Sequence, residues 1–223
     1  IEEQPDIEKL KLLKEAIINE TTEVTLVMRS NNNNLIAFSY FECISDNIIG
    51  VESYNYTENI LKTIEGISIF RNLRSIVIDA LYDNKLCIDE LVSMSDLTVL
   101  SDFRTLRQLK LFRISKLDDI SFVSTLTGLE KLELIWLANI TKIPNLANLN
   151  NLAEVCIDTL NKLVDITSLV NAPKLRKVKM LSVKSMTKES VYAVLDNLNV
   201  EELLCFGGKA EISDIHINRK NKE

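Results

Sequence analysis

At 223 residues, with 46% apolar and 26% charged residues, the chain is long enough to bury a core, and its composition is not that of a disordered, collagen-like or coiled-coil protein. A formal net charge of −6 disfavours a nucleic-acid partner. Five glycines and three prolines leave little for phosphate-cradling loops or many tight hairpins, and no apolar run approaches the ~18 residues of a membrane span, so neither a nucleotide cofactor nor membrane insertion is expected.

The N-terminus reads IEEQPD, without a basic start or an apolar signal core. Because the chain starts at Ile1 rather than Met, a signal peptide removed upstream would make it secreted or cell-surface; otherwise the cytoplasm is favoured. Residues 6 to 19 predict an amphipathic helix with Leu10, Leu13, Ile17 and Ile18 on one side. TEVTLVMRS and LIAFSYFEC flank Asn31 to Asn34 and predict a β-hairpin. YTENILKTIEGI (56 to 67) predicts a further helix. We therefore expect residues 1–59 to form an N-terminal cap of helix plus hairpin, followed by a repeat domain over 60–215 and a polar tail over 216–223.

Leu73, Ile76 and Ile78 suit a first repeat strand, and Leu97, Leu100 and Phe103 lead into the next. Between them, 79 to 95 reads as an enlarged loop or short helix. From Leu106 the chain repeats every 23 residues, with Leu106, Leu129, Leu152 and Leu175 in equivalent places. Counting Leu106 as offset 1, apolar residues fall at offsets 1, 4, 6, 9, 12, 15, 18 and 21, and through three periods all 24 such positions are apolar. Chance placement would achieve this roughly once in 10⁸ trials, so the period is a structural signal.

Offsets 4 and 6 alternate as in a short strand, whereas an apolar residue at every third position afterwards suits a 3₁₀-like or irregular arc. One turn cannot bury its own inner edge. Stacked turns can, by placing a parallel sheet on one side and a column of Leu and Ile inside, which makes the fold class an α/β solenoid. Beyond the regular periods TKESVYAVLDNL (187 to 198) predicts an α-helix capped by Thr187, and Val200, Leu203 and Cys205 restate the strand. EISDI (211 to 215) echoes KLDDI (116 to 120), so another turn is expected to begin there.

KLDDISFVSTLTGLEKLEL (116 to 134) and KLVDITSLVNAPKLRKVKM (162 to 180) combine L-x-x-L-x-L with L-x-D-I-[ST]. In this they resemble the leucine-rich repeats of the internalins and of protein-phosphatase regulatory subunits. The resemblance implies a leucine-rich repeat solenoid with a parallel β-sheet on the concave face and irregular, 3₁₀ or helical arcs on the convex face. The chain departs from that pattern at offset 9, where those families carry a buried Asn and here stand Ile114, Leu137, Leu160 and Val183.

Catalytic chemistry finds little footing. The single histidine, His216, falls in the expected tail, and no nucleophile-elbow, zinc-protease or phosphate-loop motif occurs. Asp118 and Asp119 are adjacent, but Asp119 shares its loop position with Asp165 two periods later and reads as a loop cap. Cys43, Cys87, Cys156 and Cys205 match neither a zinc pattern nor a C-x-x-C pair and read as free thiols, with Cys156 facing outward and Cys205 inward. No catalytic residue, metal ligand or cofactor is expected.

In-register strands place equal offsets side by side about 4.8 Å apart. Offset 3 then runs Gln108, Lys131, Glu154, Lys177, Glu202 and offset 5 runs Lys110, Glu133, Cys156, Lys179, Leu204, a face of mostly alternating charge. Offset 7 carries Phe112, Ile135, Asp158, Leu181 and Phe206, and offset 8 adds Trp136 and Arg113. These seven are the candidate partner-binding residues, as an apolar strip at the C-terminal ends of the strands. The competing reading is that they fold over the sheet edge onto the arc, and exposure decides between the two. The function expected is a protein-interaction module that binds a partner protein on the concave face of the solenoid, without enzymatic activity, as an immunity or effector protein of bacterial type; a cell-surface adhesin of internalin type comes second and an enzyme built from carboxylates third.

Overall fold

The structure is a computed structural model and describes residues 6–17, 22–30, 38–55, 64, 66–79, 97–197, 199–208, 212 and 214–219. Helix α1 (Ile7–Ala16) begins at Asp6, whose carboxylate accepts from the Glu8 N–H at 3.0 Å. Among the described residues, nine strands then follow one another in a single sheet, in sequence order: β1 (Val24–Ser30), β2 (Ile48–Asn55), β3 (Ser75–Asp79), β4 (Gln108–Phe112), β5 (Lys131–Ile135), β6 (Glu154–Asp158), β7 (Lys177–Leu181), β8 (Glu202–Phe206) and β9 (Ile215–Asn218). All neighbours pair in parallel except β8 and β9. From β3 to β8 the pairing joins equal offsets, as in Leu109↔Leu132↔Val155↔Val178↔Leu203.

Every one of the 24 apolar positions from Leu106 to Ala172 is buried, at 6% exposure or less. The arcs show why their period is three. The Val123 N–H donates to the Ile120 carbonyl at 3.1 Å, Leu126 to Val123 at 3.1 Å and Leu129 to Leu126 at 2.9 Å. Each inward side chain thus starts and closes an i→i+3 turn, and residues three apart in such turns lie above one another. Short 3₁₀ helices occupy Thr98–Asp102, Ser121–Thr125 and Thr167–Asn171.

The two loop aspartates are caps, as expected: Asp119 accepts from the Ser121 N–H and Asp165 from the Thr167 N–H, both at 2.8 Å. In the repeat between them the N–H that would need this cap is missing, because the position of Ser121 is taken by Pro144. The capping position there is Lys142. Acceptor and donor disappear together.

The expected hairpin is not formed. β1 pairs with β2 in parallel, through Leu26↔Val51, and Phe38–Asn47 between them is 3₁₀. Its buried residues Phe38, Phe41 and Ile44 keep the three-residue spacing of the arcs, so this segment is one more arc rather than a returning strand. Leu26, Val51 and Ile76 succeed one another at 25-residue steps, and the sheet crosses the expected boundary at residue 59 without a break. In α1, Leu10 is buried whereas Leu13 is exposed. The expected helix at 56 to 67 and enlarged loop at 79 to 95 lie outside the described residues, except for Ile64, Gly66, Ile67 and Asp79.

At the C-terminal end, α2 (Lys188–Asp196) starts where expected, with Thr187 Oγ1 accepting from the Ser190 N–H at 3.2 Å. The further turn does not follow. β9 instead runs antiparallel to β8, pairing Leu203↔Ile217 and Leu204↔His216, so residues 216–218 belong to the sheet and not to a tail. The Arg219 guanidinium donates to the carbonyls of Leu195, Asn197 and Val200, covering the C-terminus of a helix that has no basic residue in its own last turn.

Candidate interaction surface

Strand alternation delivers the offset-7 side chains to the solvent face, in register as Phe112↔Ile135↔Asp158↔Leu181↔Phe206. The next residue of each repeat then leaves the strand through a left-handed conformation: Arg113 (φ 60°), Trp136 (φ 55°), Thr159 (φ 54°), Ser182 (φ 52°) and Gly207 (φ 70°). For residues with a side chain this conformation costs about 1–2 kcal/mol. A hydrogen bond between repeats offsets it. The N–H groups of Arg113, Trp136, Thr159 and Ser182 donate to the carbonyls of Ile135, Asp158, Leu181 and Phe206 in the following repeat, at 2.8 to 3.0 Å. This ladder holds the loops where a buried Asn at offset 9 is missing; Asn139 Nδ2 adds a bond to the Ser115 carbonyl at 2.7 Å.

The turn also decides where the strip side chains go. The Arg113 guanidinium lies over two rings, 4.7 Å from the Phe112 centroid and 4.2 Å from that of Trp136, and the rings themselves are 6.1 Å apart. Lys110 Nζ stands 5.9 Å from the Phe112 centroid. Trp136 is 47% exposed and Phe206 59%, while Phe112, Arg113, Ile135, Asp158 and Leu181 are half-buried. The structure thus brings Phe112, Arg113 and Trp136 together and places Ile135 beside Phe112; Asp158 separates these from Leu181 and Phe206. Asp158 accepts from Thr159 Oγ1 at 2.8 Å.

Next to the strip, the offset-3 and offset-5 side chains line a shallow depression of about 330 Å³ that includes Lys131, Glu133, Glu154, Cys156, Lys177 and Lys179. Within it, Lys177 pairs with Glu154 at 3.2 Å and Lys131 with Glu133 at 3.4 Å. The outward Cys156 thiol is pushed above its ordinary pKa by burial and by Glu133, against the opposing pull of Lys179. Cys205 is buried and likewise raised, first by burial and then by Asp214. Among the described residues no group of three or more His, Cys, Asp and Glu is placed to hold a metal ion, and no helix is long and apolar enough to cross a membrane.

No family model matches the sequence, and no curated protein matches it. Solved structures do. An internalin (inlF) from Listeria monocytogenes aligns with a TM-score of 0.51 at 19% identity, covering 94% of this chain and 70% of that one. An internalin C2 (inlC2) from the same organism aligns with a TM-score of 0.51 at 22% identity, covering 78% and 77%. Together with the parallel sheet, the 23-residue period and the stacked arcs, these alignments identify the fold as a leucine-rich repeat solenoid of internalin-like architecture.

Proposed function

We propose that the chain is a protein-interaction module without enzymatic activity, and that its partner docks across the C-terminal ends of β4 to β8 through Phe112, Arg113, Ile135, Trp136, Asp158, Leu181 and Phe206. The observation that carries this reading is the exposure of Trp136 and Phe206 on a strip whose other apolar members are only half-covered. Large apolar groups left in water at one edge of a regular solenoid mark a contact surface. Repeat folds present such surfaces on rigid scaffolds, and here the left-handed ladder fixes the backbone beneath them.

Within this class a bacterial immunity or effector protein is the first reading. The internalin-like fold favours a cell-surface adhesin as the second, and the neighbouring genes separate the two, since an adjacent toxin gene accompanies immunity. The site itself is tested by affinity capture from the source organism, comparing the wild-type chain with the Phe112→Ala/Trp136→Ala double variant. A protein retained by the first and released by the second, with a loss of more than ~2 kcal/mol on purified components, is the expected result. Equal retention by both chains would move the site off the strip.

A further inference from the structure

Charge around the strip is unevenly satisfied. On the sheet face, Glu133 and Glu154 form ion pairs with the offset-3 lysines, Lys131 and Lys177. Among the described residues, no carboxylate forms an ion pair with Lys110, Arg113 or Lys179. In a chain of net charge −6, these cations border a row whose acids are Asp158 and, in register with Phe112, Asp79.

Arg113 is the most distinctive of these groups. Its side chain has ring contacts on two sides but no hydrogen-bond acceptor among the described residues, and its Nε is shut from solvent without a partner. A guanidinium has five N–H donors in one plane, matched to a planar two-oxygen acceptor. The flanking rings already restrict the side chain, so less freedom is lost when an acceptor arrives. An unsatisfied fork beside an exposed indole is complementary to a carboxylate with an apolar neighbour.

We propose, building on the strip as the contact surface, that its occupant is an acidic segment of a partner protein. One carboxylate of that segment meets Arg113, apolar side chains seat on Trp136, Ile135 and Leu181, and Lys110 and Lys179 supply the surrounding field. A nucleic-acid strand fits less well. Its evenly spaced phosphates would run past Glu133 and Asp158, and the aliphatic members of the strip offer no platform for stacked bases.

Selection of a random twelve-residue peptide display library on the wild-type chain, with counter-selection on Phe112→Ala/Trp136→Ala, tests this directly. Peptides rich in Asp or Glu with interspersed aromatic or aliphatic residues are expected. Enriched peptides that are apolar but neutral or basic would overturn the acidic occupant and leave the strip standing as a contact surface. No enrichment over the double variant would overturn both readings. For a synthesised acidic winner, fluorescence anisotropy should show at least a tenfold loss with Arg113→Gln, partial recovery with Arg113→Lys, and a smaller loss with the exposed Lys179→Gln, all in chains whose melting temperature is unchanged. Equal affinity for the all-amide peptide, or tighter binding of a dodecathymidylate, would refute the proposal.

Discussion

Leu132 shows how tightly single positions are constrained. It is fully buried in β5 between Leu109 and Val155, its register partners in the neighbouring repeats, so truncation opens a cavity that stacked turns cannot close. Leu132→Ala is expected to cost about 2–5 kcal/mol in urea denaturation, and a loss below ~1 kcal/mol would contradict the register. Cys156 makes a different kind of prediction. Burial and Glu133 hold its thiol in the neutral form, so its alkylation by iodoacetamide at pH 8 should run slower than that of a small free thiol and accelerate only as pH rises further. The sign for stability follows. A raised folded-state pKa favours the fold while the thiol is protonated, and that contribution is lost as pH climbs from the ordinary thiol value through the raised one. Alkylation as fast as that of glutathione would show that the thiol is not desolvated.

At the scale of elements, the C-terminal closure is built by exchange. α2 has a good N-cap in Thr187 but no basic residue in its last turn, and the missing charge arrives from Arg219, beyond β9. The antiparallel β9 also ends the parallel pairing, which would otherwise leave β8 as an open edge for another chain. Arg219→Ala removes charge-assisted hydrogen bonds to three carbonyls and should lower stability by about 2–3 kcal/mol, with amide exchange accelerated first over Lys188–Asp196. Unchanged protection of α2 would mean that β9 alone closes the end. The same exchange of donors and acceptors governs the arcs, where the Asp cap occurs in the repeats with an N–H to receive and is replaced by Lys142 where Pro144 has none.

For the whole molecule, the sheet is one continuous stack whose steps vary from 23 residues in the regular core to 25 between β1 and β3 and 33 between β3 and β4. The Phe38 and Phe70 rings, 5.5 Å apart edge to face, tie the first arc to the next one. A fragment starting near Ile67 would expose that ring and the edge of β3 together. It should aggregate or self-associate, which light scattering coupled to gel filtration detects. A soluble monomeric fragment would show that residues before Ile67 are dispensable for the solenoid.

The sequence by itself determined the period, the buried positions, the strand register from β4 to β8, the three-residue step of the arcs, the Thr187 helix start and the Asp119 and Asp165 caps. These are repeated, local consequences of chain geometry, and repetition averages out the noise of any one copy. The direction of β1 and β2 was legible only faintly. Phe38, Phe41 and Ile44 carry the arc spacing, but once, beside an Asn run that imitates a hairpin turn. Tertiary structure alone decided the rest. β9 follows Asp214, which has φ 62°, and pairs antiparallel with the edge of β8 instead of opening a new turn, a long-range pairing that the local echo of KLDDI does not encode. Likewise, register places Arg113 one repeat from Trp136, but the left-handed turn at both residues carries the guanidinium over the two rings, and that backbone choice is set by hydrogen bonds across repeats and not by either residue's own preference.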